Sequence, residues 1–278
     1  ATLYPQNVGR FVLDGAIDPT VSDEDSSAYQ LQAFDTALRD YLKSCITVNP
    51  TTCPFSGSVD SAMNKIMAFY KKMETTSLNT TLGRKLQLPG AITGLIMTLY
   101  SNDYWKYTSS AFSAAFRGDG TLFLQLADFY NDRNSGGGYA SNMLEANIAI
   151  NCLDGRSNPS KAAMDAQNAR LLKLSPFFGR YWRNGALGCA SWPYPVAKKP
   201  ANYAASGSGP IIVVGTTGDP ATPYWEAQNL ANKILENGHL ITFNGEGHTA
   251  YGRSNSCVVD AVDAYFVNGI VPAKDPNC

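Results

Sequence analysis

Histidine and charge are both scarce in this chain. Its 278 residues hold two histidines, charged residues make up 16%, and the formal net charge is −1. With no run of Lys and Arg, nothing points to a nucleic-acid surface. There is no acidic tail. The longest apolar run, residues 91–100, is about half of what a membrane span requires. No C-x-x-C pair occurs, so the cysteines lack the spacing of a zinc site. A leader-like N-terminus is missing too, as it would be from a mature form or a fragment. The glycine-framed serine G-x-S-x-G occurs nowhere, and Gly207-Ser208-Gly209 is only a loop fragment before a strand.

What is present includes six cysteines: Cys45, Cys53, Cys152, Cys189, Cys257 and Cys278. An even number suggests disulfides and an exported protein. Six cysteines allow fifteen pairings. Short loop closure favours joining sequence neighbours: Cys45 with Cys53, Cys152 with Cys189, Cys257 with Cys278. The alternative is free buried thiols in a reducing compartment. Asn79-Thr80-Thr81 is a glycosylation sequon, usable only in a eukaryotic secretory route.

The length allows one large domain or two small ones. Three regions are expected. Residues 1–20 read as a strand with its exit loop, 21–205 as helical, and 206–278 as alternating strand and helix. The first ten residues look like the tail of a helix, and Phe11-Val12-Leu13-Asp14-Gly15 like a strand. In the helical region, Leu31, Phe34, Leu38 and Leu42 follow three- and four-residue steps, which makes one face apolar. Ser22 and Asp25 form a weak capping box for that helix. Met63, Ile66 and Phe69 or Tyr70 repeat the pattern, as do Leu122, Leu126 and Phe129. Residues 146–150 continue it, and 162–172 are another helix. Residues 134–138 read as a flexible loop. Ser191-Trp192-Pro193-Tyr194-Pro195 reads as a rigid, non-helical connector.

Residues 210–248 carry the chemistry. Residues 210–214 form a short buried strand that runs into Gly215-Thr216-Thr217-Gly218-Asp219-Pro220-Ala221-Thr222-Pro223. A helix is expected over 224–237, with Thr222 capping it and Pro223 in its first turn. The next strand, 239–243, ends in Asn244-Gly245-Glu246-Gly247-His248. An acid after one strand and a histidine after the next is the order of the last two members of a Ser…Asp…His triad in an α/β-hydrolase. Asp219 is therefore the candidate acid and His248 the candidate general base. Asp14 and Asp18, after the earlier strand, are rival acids. His239 follows a turn and reads as a surface residue. The expected fold is the C-terminal part of a doubly wound α/β sheet with a large helical cap inserted between two of its strands. The alternative for residues 21–205 is a separate helical domain. The opening segment is expected to follow directly on the strand and helix that bear the nucleophile.

Four stretches resemble one known family. They are Tyr4-Pro5 with residues 8–19; Ala149-Ile150-Asn151-Cys152-Leu153-Asp154; Cys189-Ala190-Ser191-Trp192-Pro193; and residues 213–223 with Gly247-His248 and 256–278. The chain is similar to the secreted tripeptidyl-aminopeptidase-like α/β-hydrolases, a branch of the proline-iminopeptidase group of serine peptidases. That resemblance implies Asp219 as triad acid, His248 as base, export, and release of short peptides from free N-termini. It also implies an upstream segment carrying the serine and one oxyanion-hole donor, so the partners are a peptide substrate and that segment. No metal or organic cofactor is called for. A free α-ammonium needs an anion, and Glu145 and Asp154, flanking Cys152, are the first candidates, with Asp119 and Asp128 behind them. An esterase on the same fold is the first competing reading. A non-catalytic accessory protein without a nucleophile is the second.

Overall fold

The computed structural model describes residues 1–278. Its sheet has three parallel strands in the order β1 (Phe11–Asp14), β2 (Ile211–Gly218) and β3 (Gly238–Glu246). Phe11 pairs with Ile211, and Ile211 in turn with Gly238. As the middle strand, β2 is buried on both faces from Ile211 to Thr216, and a near-continuous apolar run suits that position. Alternate side chains serve opposite faces. Ile212 and Val214 pack with Ile241, Val258, Val262 and Tyr265 under α10 (Ser256–Asn268). Val213 packs with Leu240, Ala227, Leu230 and Ala231 under α9 (Tyr224–Asn229).

Two local expectations are corrected here. Residues 1–10 contain a single 3-10 turn, Pro5–Asn7, not a helix tail, and Leu3 and Tyr4 are largely exposed. A short segment with no apolar face packed against anything cannot repay helix nucleation. The helix expected over 224–237 ends early, through a wide turn at Leu230–Ile234. Gly238 lies against the backbone of Ala231, so the chain must leave the helix to enter β3.

Between β1 and β2 the chain is helical. α1 (Asp23–Val48) is the spine, and the Ser22 hydroxyl accepts from the Asp25 amide at its start. α2 (Val59–Met73), α3 (Leu88–Leu99), α4 (Trp105–Phe116) and α5 (Thr121–Tyr130) pack with it around one core. Leu31, Phe34, Leu38, Leu42, Ile66 and Tyr70 are buried within it. On α5, Leu126 is buried, but Phe129 is 66% exposed and Phe123 takes the inward place. The cause is a close helix–helix contact: a side chain on Gly94 of α3 would come within 2.5 Å of the Phe123 carbonyl, and that approach sets the rotation of α5. α6 (Met143–Asp154) also departs from expectation, because only Cys152 on it is buried. α7 (Lys161–Leu174) and the short α8 (Phe178–Tyr181) complete the region. Residues 190–205 have no regular structure. No helix is long and apolar enough to cross a membrane.

Three disulfides join sequence neighbours and leave no free thiol. Cys45–Cys53 closes the end of α1, and Cys152–Cys189 staples α6 to the turn Gly185–Cys189. Cys257–Cys278 ties the C-terminus to α10. There Thr242 of β3 donates to the Pro276 carbonyl and accepts from the Cys278 amide, so the terminal residues cover the free edge of β3. Replacing Cys257 and Cys278 together by alanine opens a loop with a sequence separation of 21. The expected cost is about 3 kcal/mol, read as a fall in the midpoint of thermal unfolding relative to the wild type without reductant, a difference that vanishes once the wild-type bridge is reduced.

Candidate active site

Parallel strands present their carboxyl ends on one side, and α/β sheets bind ligands there. β2 and β3 both leave the sheet at that side. A register irregularity between Thr216 and Gly218 sets Gly218 opposite Glu246. Bulges of this kind re-aim the side chains that follow. The Gly247 amide then donates to the Gly218 carbonyl, at 3.2 Å. One residue beyond each, Asp219 and His248 face one another.

Asp219 is 3% exposed. Its Oδ1 accepts from the Ala221 and Thr222 amides at 2.8 and 2.9 Å, an Asx turn that fixes the carboxyl plane. Its Oδ2 accepts from the Thr222 hydroxyl at 3.1 Å. His248 Nδ1 lies 3.0 and 2.9 Å from the two oxygens. A carboxylate offers only acceptors, so Nδ1 carries the proton and Nε2 holds the lone pair. The imidazole side chain keeps 26% of its exposure. It can take up a proton on the side facing away from Asp219.

Thr222 does not cap α9 as expected; Pro223 occupies that position, and no side chain caps the helix. The Thr222 hydroxyl instead reaches both Asp219 Oδ2 and His248 Nδ1, the latter at 3.3 Å. The earlier-strand acids do other work. Asp14 accepts from the Ala250 and Tyr251 amides at 2.8 to 3.0 Å and so fixes the backbone after His248. Asp18 accepts from Thr20 and from Asn229, and neither acid meets the imidazole. Gly15 borders the ring: a side chain there would come within 2.7 Å of Cε1, and its φ is +69°. His239 is half-buried and bonded to Asn237.

Glu145 and Asp154 both lie on α6, and both are exposed. Asp154 borders a cleft of about 630 Å³ that also takes in Asp23, Arg156 and Lys198. Neither acid bonds to the Asp219–His248 pair. Asp128 is paired with Arg84, and Asp119 is engaged by Thr121. Among the described residues there is no cluster of His, Cys, Asp and Glu suited to a metal.

Two further carboxyls near the pair went unread in the sequence. Glu226 of α9 is 2% exposed and accepts from the Asp18 amide at 2.9 Å. Burial raises its pKa, and the neighbouring Asp18 and Asp219 charges add to the rise. Glu246, two residues before His248, has its pKa pushed up to about 7 by burial, with Asp40 adding to it. Its Oε2 is buried without a hydrogen-bond partner. No spacing rule marks either residue, because the burial comes from helices distant in sequence. A carboxyl whose folded pKa is raised binds its proton more tightly in the native state, so it destabilises the fold progressively from its ordinary pKa near 4.5 up to about 7. Glu246→Gln is expected to raise the unfolding temperature at pH 8 and to leave it nearly unchanged at pH 4. Parallel melts at the two pH values check this.

Comparison with known proteins adds to the geometry. Residues 175–278 match the family model described as TAP-like protein. Over 279 residues, covering 99% of the chain and 53% of the relative, the sequence is 36% identical to carboxylesterase B of Mycobacterium tuberculosis. It is 32% identical over 285 residues to serine protease Hip1 of the same species, covering 99% of the chain and 54% of that protein. To tripeptidyl aminopeptidase of Streptomyces lividans it is 26% identical over 286 residues, covering 100% of the chain and 51% of that protein. The chain thus spans about half the length of these curated relatives. An acid and a histidine at the carboxyl ends of adjacent parallel strands fit the α/β-hydrolase arrangement, and over residues 175–278 the chain is similar to the TAP-like family.

Proposed function

We propose that the chain is part of a secreted serine exopeptidase that releases short peptides from free N-termini. The observation that carries this reading is the Asp219–His248 pair, with Nδ1 held at 2.9 Å and Nε2 left free. On this reading a serine on an upstream segment attacks the peptide carbonyl. His248 Nε2 takes the hydroxyl proton and returns it to the leaving amine. Asp219 keeps the imidazole in the required tautomer and stabilises the imidazolium, while backbone amides hold the oxyanion. Asp14 and Thr222 support the pair from either side.

The open edge of β1 supports the reading that an upstream segment binds there. β1 sits at the edge of the sheet, with Phe11 38% and Leu13 36% exposed. Beside it lies an apolar cavity of about 800 Å³, lined in part by Leu3, Tyr4, Ile17, Leu230 and Leu235. A further parallel strand would satisfy the free backbone groups of β1 and cover these side chains. In this arrangement residues 1–20 and 206–278 belong to the hydrolase core, and residues 21–205 form a cap over the site. Glu145 and Asp154, exposed on α6, are the proposed anions for the substrate's α-ammonium. Three disulfides and no free thiol support export.

A second reading is favoured by one observation: the 36% identical relative is named a carboxylesterase. An ester-cleaving enzyme would use the same pair. The two readings are separated by comparing a tripeptide arylamide with an aryl ester on protein that includes the upstream segment. A much higher kcat/KM on the arylamide supports the peptidase, and a large preference for the ester overturns it.

Three variant results follow. Asp219→Asn is expected to lower kcat by about 10⁴ by misplacing the imidazole proton. Thr222→Val removes a hydrogen bond to a charged group, so a loss of about 10- to 100-fold is expected. The double change Glu145→Gln with Asp154→Asn should raise KM for peptides with free N-termini and leave N-blocked esters unaffected. Steady-state kinetics on both substrate types checks all three.

A further inference from the structure

The loop that carries His248 is held not only by the sheet but by the helical region. Tyr100 directly follows α3, and its carbonyl accepts from the His248 amide at 2.9 Å. Ser101 and Gly247 form an antiparallel bridge. A side chain on Gly247 would come within 2.8 Å of the Tyr100 carbonyl, and the φ of Gly247 is +113°. Thr249, on the other side of His248, also has a positive φ, +66°. Such a conformation is rare for a β-branched residue and persists only where the surroundings impose it. The Tyr100 ring meets the imidazole edge to face, with centroids 5.6 Å apart and planes at 83°. The ring is itself fixed by Phe34 of α1 and Tyr130 of α5, each with its centroid 5.8 Å away. The imidazole thus lies between the Gly15 backbone and the Tyr100 ring.

We propose that Tyr100 is a positioning residue: its ring and carbonyl set the orientation of the His248 imidazole, so the helical region completes the catalytic geometry as well as covering it. The proposal rests on the reading of His248 as general base. The hydroxyl is not the working part, since its one partner, the Tyr130 hydroxyl, is at a long 3.4 Å. The ring matters because a flat wall prevents the imidazole from rotating away from Asp219, and small misplacements of a catalytic group are costly. The titratable groups near the imidazole are Asp219 after β2, Tyr100 after α3, Glu246 at the end of β3 and Asp14 at the end of β1; Thr222 and Gly15 contribute no charge.

The test uses the enzyme with its upstream segment and the variants Tyr100→Ala and Tyr100→Phe. Three readouts are taken: kcat and KM on a peptide arylamide, the rate of labelling by a fluorophosphonate, and the pH profile of kcat/KM. The labelling rate reports on the serine and histidine without a bound peptide. In Tyr100→Ala, kcat and the labelling rate should both fall by about 10- to 100-fold, with KM little changed. kcat/KM should fall across the whole profile, because a misplaced imidazole is a poorer base at every pH. Tyr100→Phe should restore all three. An unchanged labelling rate with a raised KM would make Tyr100 a wall of the substrate pocket and overturn the proposal. A phenylalanine variant as impaired as the alanine one would also overturn it. Should Tyr100→Ala fail to fold, Tyr100→Leu keeps the apolar volume without the flat ring, and wild-type labelling in that folded variant counts against the proposal. Wild-type enzyme that takes no label at all overturns the serine-hydrolase reading, and this inference with it; a labelled wild type beside an unaffected alanine variant removes only the role of Tyr100.

Discussion

Two parallel strands cannot be joined by a tight turn. The chain between β2 and β3 must travel back along the sheet before it can run forward again, and α9 with its wide final turn makes that return. Everything at the site depends on this constraint. It brings the ends of β2 and β3 out side by side at the same edge of the sheet. The residues immediately beyond those ends, Asp219 and His248, then meet although they are 29 positions apart in the chain. The same rule applies across the helical region: β1 pairs with β2 in parallel after a connection of nearly two hundred residues, and the carboxyl of Asp14 arrives beneath the histidine loop.

The loop after β3 is over-determined. Its backbone is held by the Gly218 carbonyl at Gly247, the Tyr100 carbonyl at His248, Asp219 at Thr249, and Asp14 at Ala250 and Tyr251. Three segments distant in sequence, at Asp14, Tyr100 and Gly218-Asp219, therefore fix five consecutive residues. That many restraints explain how a threonine with positive φ is tolerated beside the histidine. The imidazole is left with little freedom to turn away from its carboxylate partner, which suits the proton transfer proposed for the pair.

Acidic groups gather around the pair. Asp219, Asp18 and Glu226 are all nearly inaccessible, and burial together with their mutual repulsion drives the Glu226 carboxyl toward its neutral form. Glu246 stands close to the same loop with one oxygen unpaired. The arrangement costs stability above neutral pH, where Glu246 ionises without a partner.

Local chemistry was legible in the sequence wherever a short range of residues decided it. The apolar run of β2, the Leu31–Leu42 face of α1, the Ser22 cap and the strand–acid–helix–strand–histidine order all follow from spacing. Other features escaped it because they depend on contacts between distant segments. The rotation of α5 that exposes Phe129 is set by the approach of Gly94 to Phe123. The exposure of α6 reflects what packs against it, which its own apolar residues do not reveal. Thr222 read as a helix cap from its position, but the histidine loop, 26 residues on, offered its hydroxyl a different partner. The sequence by itself determined which residues can carry a proton and the order in which they follow the strands. Only the tertiary structure decided which of three acids faces the imidazole, and that a tyrosine from the helical region lies against its ring, because both depend on packing between segments that the chain order keeps far apart.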